Sequence, residues 1–392
     1  RERMEEESVE RAAAAHAHYA AGVIHEMNGE AQEAAEEYYQ AVMLDPSDEA
    51  LVLEVSGGFL RGKQPQKALE VVTRAVAQPN ASGQVYARLG TIYAELGKPN
   101  EAVAANRVAI SKSPGALFGY QNLCQGYLAK RQPEEALKVL DEAARQPKPD
   151  AEFLVGLAEL YTGIGLQSSA HKDGASVKAR ALLNRAAKQG VRTPLLRLKL
   201  ADNYNVLGDS TEAAQFYLEV LKEPPDLPLI QERVRANLTS IYLRGSDHKR
   251  ASEQLEAILR DDPTNPQAHY YLGRMAIEDK KPAEAAEALS KTVLLSPDFE
   301  SAYYYLAVAQ IELKKPGEAL ATLEKARQKF AQSFALEYYT ALAYNGLILA
   351  WPEIGDLSRP AREVGELDRP AAQLGRPERV LQHRLGLELP VL

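Results

Sequence analysis

Residues 83–116 read GQVYARLGTIYAELGKPNEAVAANRVAISKSPGA, and the spacing of their apolar side chains decides the fold. Tyr86, Leu89, Gly90 and Tyr93 recur at intervals of three and four, which places them on one face of a helix. Ala102, Ala105 and Ala109 do the same for a second helix. A short polar turn separates the two, and Pro99 marks where the second begins. Proline is suited to a first helical turn, where its missing N–H has no intrahelical partner, and Glu101 just inside complements the positive end of the helix dipole. The small residues stand where two helices must approach closely, because a larger side chain would force the backbones apart. The stretch therefore encodes a helix, a turn and a second helix.

It is one copy of a repeat. Gly22, Ala34, Ala41 and Pro46 stand 68 residues before Gly90, Ala102, Ala109 and Pro114, with Ser56, Ala68 and Ala75 midway, so the period is 34. The frame carries forward through Cys124, Ala136 and Ala143, then Ala158, Ala179 and Ala186, and on to Ala307, Ala319 and Ala326. Nine full repeats begin near Ala15, Glu49, Gly83, Leu117, Ala151, Pro194, Glu232, Pro266 and Glu300. A tenth begins at Phe334 and supplies one helix. Pro65, Pro133, Pro282 and Pro316 take the place of Pro99, so each is expected to open a second helix.

These landmarks divide the chain into an acidic helical lead-in at 1–14, a repeat array at 15–350 and an atypical Pro/Arg/Gly-rich tail at 351–392. Two insertions interrupt the array. Residues 166–174 (LQSSAHKDG) are polar and contain glycine, which predicts a surface loop between the helices of the fifth repeat. Pro224, Pro225 and Pro228 sit in PPDLPLI, ahead of the seventh repeat. Both read as tolerated loop insertions, with a hinge or a partner contact as the functional alternative. The tail has no Lys, Tyr or Phe, and prolines at 360, 370 and 377 forbid a continuous helix. A shifted reading frame would give the same abrupt change.

Composition narrows the function classes. Of 392 residues, 45% are hydrophobic and 26% charged, within the range of folded soluble chains. The net charge is −8, with the charges interspersed and no Lys/Arg stripe, so nucleic acid is not an expected partner. No stretch approaches the 18 apolar residues of a membrane span. Cys124 is the only cysteine, which excludes an intramolecular disulfide and fits the cytoplasm and a bacterial periplasm equally. The chain begins at Arg1, as a processed or trimmed product would, so a signal or lipid anchor could have been removed.

Catalytic and metal chemistry finds little support. His16, His18 and His25 cluster with Glu26, but they fall in packing or surface places of the first repeat and read as structural histidines. Gly163-Ile164-Gly165 lacks the strand, third glycine and lysine of a phosphate loop and reads as a turn. Cys124 occupies the small packing place of its repeat and reads as a buried thiol. Asn80-Ala81-Ser82 and Asn237-Leu238-Thr239 match glycosylation sequons that arise often by chance, and receive no role. No catalytic residue, cofactor or metal site is assigned.

The chain resembles the tetratricopeptide repeat family. That family carries a small residue in the eighth place, an aromatic in the eleventh, alanines in the twentieth and twenty-seventh and proline in the thirty-second. Gly22, Gly90 and Gly273 fill the eighth place here, and Tyr93, Tyr127, Tyr161, Tyr204 and Tyr242 the eleventh. The fourth place holds Tyr86, Tyr120 and Tyr303 where the family often has tryptophan. The resemblance implies an all-α, right-handed superhelical solenoid of stacked antiparallel helix pairs. It also implies a concave groove displaying the second, fifth, ninth and twelfth places of each repeat.

Those places and the thirteenth yield the candidate partner-binding residues: Gln121, Gln125, Asp202, Asn205, Arg233, Arg244, Arg274, Tyr270, Tyr304 and Tyr338. The sharpest feature is the column Tyr270, Tyr304, Tyr338, each member followed by a second tyrosine. One of each pair is expected to face the groove while the other packs, with stacked phenols offering amphipathic contact area. The simpler reading is that tyrosine is a frequent packing residue of such repeats. The Lys/Asn clamp that some family members use for a C-terminal carboxylate is missing from any three successive repeats.

The leading expectation is a non-enzymatic scaffold that holds a peptide segment or protein partner in its groove. Resemblance to long, mildly acidic bacterial repeat proteins adds assembly of an envelope, secretion or polysaccharide-export complex. A non-catalytic targeting arm or regulatory subunit of an enzyme is the alternative. Self-association through the uncapped C-terminal repeat is a third possibility.

Overall fold

The structure, a computed structural model, describes residues 2–223, 228–330 and 334–350. The tail at 351–392 and part of the PPDLPLI segment lie outside the described residues. Nineteen α-helices and no strand occur among the described residues. The chain divides into two compact units, Arg1–Asp226 and Leu227–Leu392.

In the first unit α1 (Glu2–Met27) pairs with α2 (Ala31–Leu44), α3 (Glu49–Arg61) with α4 (Pro65–Val76), and α5 (Gly83–Glu95) with α6 (Pro99–Lys112). The series continues with α7 (Leu117–Ala129) and α8 (Pro133–Ala144), α9 (Ala151–Gln167) and α10 (Lys172–Gln189), then α11 (Pro194–Val206) and α12 (Ser210–Lys222). The second unit holds α13 (Pro228–Arg244), α14 (His248–Asp261), α15 (Pro266–Glu278), α16 (Pro282–Leu295), α17 (Glu300–Glu312), α18 (Pro316–Lys329) and α19 (Phe334–Ala350). Within each unit, contacts run from each helix to the next and from first helix to first helix of neighbouring repeats, as in α3–α5–α7–α9–α11 and α15–α17–α19. Each repeat therefore buries its apolar stripe against its neighbours only.

From the second repeat on, first helices start at the repeat boundaries, whereas α1 runs unbroken from Glu2 through the lead-in, and Pro65, Pro99, Pro133, Pro282 and Pro316 each open a second helix. Helix α13 starts four residues early, at Pro228, because the added residues extend it. Side chains of Asp48, Ser82, Asp150, Thr193 and Asn265 cap first helices by accepting from the backbone N–H three residues on.

The insertion in the fifth repeat corrects the sequence reading. Residues 166–174 do not form a loop: α9 runs through Gln167, a single 3-10 turn spans Ser169–His171, and α10 starts at Lys172. Gly163 and Gly165 accordingly lie inside α9 rather than in a turn. The extra residues lengthen both helices, and Gly165 allows α9 to pass close to Lys172 and Ala175.

One turn feature recurs without a residue signature. The fifteenth place has positive φ in repeats one to four and six to nine: Gly29, Lys63, Gly97, Arg131, Gly208, Ser246, Lys280 and Lys314. The next residue's N–H then bonds back five residues, as Gln64 to Phe59 (2.8 Å) and Lys98 to Tyr93 (2.8 Å), which satisfies the last carbonyls of the first helix.

Close approach is sharpest at Gly90. A Cβ there would lie 2.3 Å from Asn106 Nδ2, and Asn106 is buried in a network. It donates to Ala102 O (2.8 Å) and accepts from Asn122 Nδ2 (3.0 Å), which also donates to Ala87 O (3.0 Å) in the preceding repeat. Gly90→Ala is expected to destabilise the first unit by about 1–3 kcal/mol, because the displaced amide leaves buried partners unsatisfied. Gly126→Ala, on open helical surface, should instead stabilise it by roughly 0.5–1 kcal/mol. Urea unfolding of the two variants checks the opposite signs.

Candidate functional site

Packing places are filled as their chemistry requires, and this leaves the remaining faces for binding. Cys124 is buried, its Sγ 3.5 Å from Ala136 O, and burial pushes its thiol up to about 12. His18 and His25 lie 2.6 Å from Glu37 and Glu30, each held by a carboxylate. Among the described residues no three His, Cys, Asp or Glu side chains gather as metal ligands would. No described helix is long and apolar enough to cross a membrane.

The second unit holds the candidate site. Within it, α13 and α15 pack less closely than α15 with α17 or α17 with α19, and a cavity of about 470 Å³ opens between them. Its wall includes Glu232, Ser240 and Arg244 of α13 and Tyr271, Arg274 and Glu278 of α15. Asn265, the N-cap of α15, donates to Glu232 at 2.8 Å and fixes one end of that wall.

Arg274 is the centre of the site. Its guanidinium stands 5.2 Å from the Tyr305 ring centroid and 5.8 Å from that of Tyr270, in cation–π range, and 3.7 Å from Glu278. Among the described residues its Nε is buried without a hydrogen-bond partner. A buried donor left unsatisfied costs on the order of 1–3 kcal/mol, so an incoming acceptor there would be favoured. Beyond Arg274 the tyrosines form two groups. Tyr270 touches Tyr271, Tyr305 and Phe299, and Tyr339 stacks on Tyr304 and meets Tyr338 edge-on.

The paired tyrosines divide their roles in a definite way. Tyr270 and Tyr304 are 8% and 6% exposed: the first packs on Phe299 at 4.5 Å, and the second stacks on Tyr339 and donates its hydroxyl to Glu300. Burial accordingly raises the Tyr270 phenol above its ordinary value. Tyr338 is 42% exposed. The rings that are more open in the inner repeats are Tyr271 and Tyr305, one residue on, because that step turns the side chain about 100° around the helix. The sixth place was absent from the places read as groove. Its occupants Asn237, Tyr271, Tyr305 and Tyr339 recur every 34 residues, which is the signal that would have found it.

The other sequence candidates are dispersed. Arg244 lines the cavity with Arg274, and Arg233 is exposed on α13 but outside the cavity wall. Gln121 and Gln125 are exposed on α7, in the first unit. Asp202 and Asn205 are half-buried on α11, and Asp202 accepts from the Tyr217 hydroxyl at 2.6 Å.

A charge relay borders the cavity. His248 lies 2.6 Å from Asp279 and 3.1 Å from Glu278, the carboxylate that also reaches Arg274. The hydrogen bond to Asp279, then the charges of Asp279 and Glu278, raise the imidazole above its ordinary value of 6.5. A raised pKa means that the contribution is complete below that ordinary value and is lost as pH rises through the folded value. Wild type should thus lose about 0.5 kcal/mol of stability between mildly acidic and mildly alkaline pH that His248→Gln does not lose. Urea midpoints of the two proteins across that range measure it.

Comparison with known proteins places the repeats. Three family models, each described as "Tetratricopeptide repeat", match at residues 2–49, 178–228 and 240–298, at 276–343, and at 83–110. Together they span more than half of the chain. A human protein, Protein O-mannosyl-transferase TMTC3, is 24% identical over 282 residues, covering 68% of this chain and 28% of its own length. The chain thus matches little more than a quarter of that curated relative. Among solved structures, the C-terminal part of a TPR repeat-containing protein from Cytophaga hutchinsonii is 17% identical, with a TM-score of 0.43 over 65% of this chain and 99% of that one. The APC/C hetero-tetramer Cut9-Hcn1 gives 15% identity and a TM-score of 0.37 over 71% and 52%. The P58(IPK) TPR domain gives 18% identity and 0.30 over 86% and 99%.

Proposed function

The chain belongs to the tetratricopeptide repeat family, and from that premise we propose that its second unit binds an extended segment of a protein partner against α13, α15 and α17. The observation that carries this reading is the partnerless Nε of Arg274, set between two tyrosine rings on the wall of an open cavity. A backbone carbonyl or an acidic side chain would accept from it, while apolar or aromatic side chains would lie on Tyr271, Tyr305 and Tyr339. Glu232 and Glu278 on the same wall disfavour a uniformly acidic ligand and fix its register. The remaining candidates Gln121, Gln125, Asp202, Asn205 and Arg233 would contribute further contacts at other repeats.

Assembly of an envelope, secretion or export complex in a bacterium is the specific form of this scaffold role. It rests on the length and mildly acidic charge of the array. The second reading is an accessory arm of an enzyme, favoured by the match to a protein named as an O-mannosyl-transferase, of which this chain spans only part. Under that reading the bound segment belongs to a catalytic chain, and adding this protein would alter that chain's turnover.

Selection from a displayed peptide library against the full chain tests the groove. Enriched peptides should pair an acceptor-bearing residue with aromatic or apolar neighbours. Arg274→Ala and Tyr271→Ala should each weaken their binding about tenfold, equivalent to about 1.4 kcal/mol. Tyr270→Ala is a poor probe, since removing a buried aromatic costs on the order of 3 kcal/mol and disturbs the fold. Unchanged affinity in Arg274→Ala and Tyr271→Ala, with helical circular dichroism intact, would sink the assignment.

A further inference from the structure

In the first unit, two arginines face one another across bare backbone. Arg61 ends α3 at the thirteenth place of the second repeat, and Arg88 lies in α5 at the sixth place of the third. Between them Gly57, at the ninth place, is buried. A Cβ on Gly57 would meet Arg61 Nη1 at 3.5 Å and Arg88 Nη2 at 3.6 Å, so both guanidiniums converge on the space a side chain would have filled. The corresponding places between the seventh and eighth repeats are Arg244, Ser240 and Tyr271, all of which line the cavity of the second unit. By the repeat frame, Arg61 and Arg88 thus occupy the equivalent inter-repeat groove of the first unit.

What distinguishes this pair is its lack of compensation. Arg107, Arg180 and Arg197 of the same unit meet Glu142 at 2.5 Å, Asp209 at 2.6 Å and Glu223 at 2.7 Å. Neither Arg61 nor Arg88 makes an ion pair or side-chain hydrogen bond among the described residues, in a chain of net charge −8. Burial and the facing Arg61 charge together hold the Arg88 guanidinium below its ordinary value, and no carboxylate counters them. Two like charges over one glycine, Arg88 half-buried and Arg61 exposed, repel until an anion joins them.

We propose that Arg61 and Arg88 form a subsite for a phosphomonoester, carried on a phosphorylated side chain of the protein segment held in the groove. The chemistry selects a dianion over a carboxylate. Two guanidinium forks present more donors than two carboxylate oxygens can accept in good geometry, whereas a phosphomonoester offers three oxygens and about two charges. Gly57 provides the room, since any side chain there would occupy the anion's position. The proposal rests on the groove-binding reading, although its own test does not require the natural partner.

The experiment titrates the ¹⁵N-labelled full chain with inorganic phosphate, with acetate, and with a capped Ala-phosphoserine-Ala tripeptide and its Ser and Glu counterparts, following the arginine Nε–Hε signals. Phosphate and the phosphoserine tripeptide should shift the Arg61 and Arg88 signals saturably. The Glu tripeptide and acetate should bind about tenfold more weakly, and the Ser tripeptide should cause no shift. Arg61→Ala and Arg88→Ala should each reduce phosphate affinity about tenfold, while Arg107→Ala, which removes a paired charge, leaves it unchanged. Equal shifts at all arginines, equal binding of the Glu and phosphoserine tripeptides, or full binding by Arg88→Ala would overturn the subsite. Binding of inorganic phosphate without the phosphoserine tripeptide would overturn its assignment to a protein segment. Unchanged peptide capture in Arg274→Ala and Tyr271→Ala with the phosphate shifts intact would overturn the groove reading alone, whereas Arg274-dependent capture without phosphate shifts at Arg61 and Arg88 would overturn the subsite alone.

Discussion

Every feature of this protein depends on how closely the two helices of a repeat can approach. The apolar stripe of one first helix is too narrow to form a core alone, so it must be covered by its own second helix and by the next repeat. Small residues set that distance: Gly90 against Asn106 and Gly273 against Leu289 leave no room for even a methyl group without rearrangement. Once the distance is fixed, the remaining faces of the first helices are free of packing demands. Arg61, Arg88, Tyr271 and Arg274 can then be chosen for chemistry alone.

The same constraint explains why the fold could be read from the chain and some of its details could not. Helix pairing leaves a residue signature because Gly or Ala at the contact and Pro at the helix start are close to obligatory there. Helix boundaries therefore coincide with the repeat frame from Glu49 to Phe334, apart from the early start at Pro228. Turn geometry leaves a weaker mark. The fifteenth place requires a left-handed backbone, yet lysine, arginine and serine occupy it in five repeats. A penalty of about 1–2 kcal/mol per residue is evidently outweighed by the carbonyls that the turn satisfies. The insertion in the fifth repeat misled for a related reason. Polarity and glycine mark a loop only when the flanking helices have somewhere to stop, whereas α9 and α10 gain buried contacts by continuing, with Ile164, Gly165 and Ala175 inside.

Side-chain direction at the groove was harder still. Adjacent residues on a helix differ by about 100°, and both members of each tyrosine pair can reach either the core or the groove edge. Neighbouring repeats decide the outcome. Phe299 draws Tyr270 inward, and Tyr339 covers Tyr304. The Tyr270–Tyr305 and Tyr304–Tyr339 contacts each span two repeats, so no pattern confined to one repeat contains that information. The arginines follow the same logic. Arg107 meets Glu142 of the following repeat, whereas Arg88 faces Arg61 of the preceding one.

A repeat array that meets its packing needs at a few fixed places has a consequence for specificity. On the proposed binding reading, the occupants of the sixth, ninth and thirteenth places would set what a groove binds, as the paired occupants of two equivalent grooves illustrate. Arg61, Gly57 and Arg88 concentrate positive charge around an open space, whereas Arg244, Ser240 and Tyr271 mix charge with an aromatic wall beside Glu232 and Glu278. The backbone frame is common to both, so the difference in chemistry belongs to those side chains. On the proposed reading, a ligand that engages one of these grooves would be selected by three residues per repeat boundary. Energetic independence of this kind is what near-neighbour coupling permits.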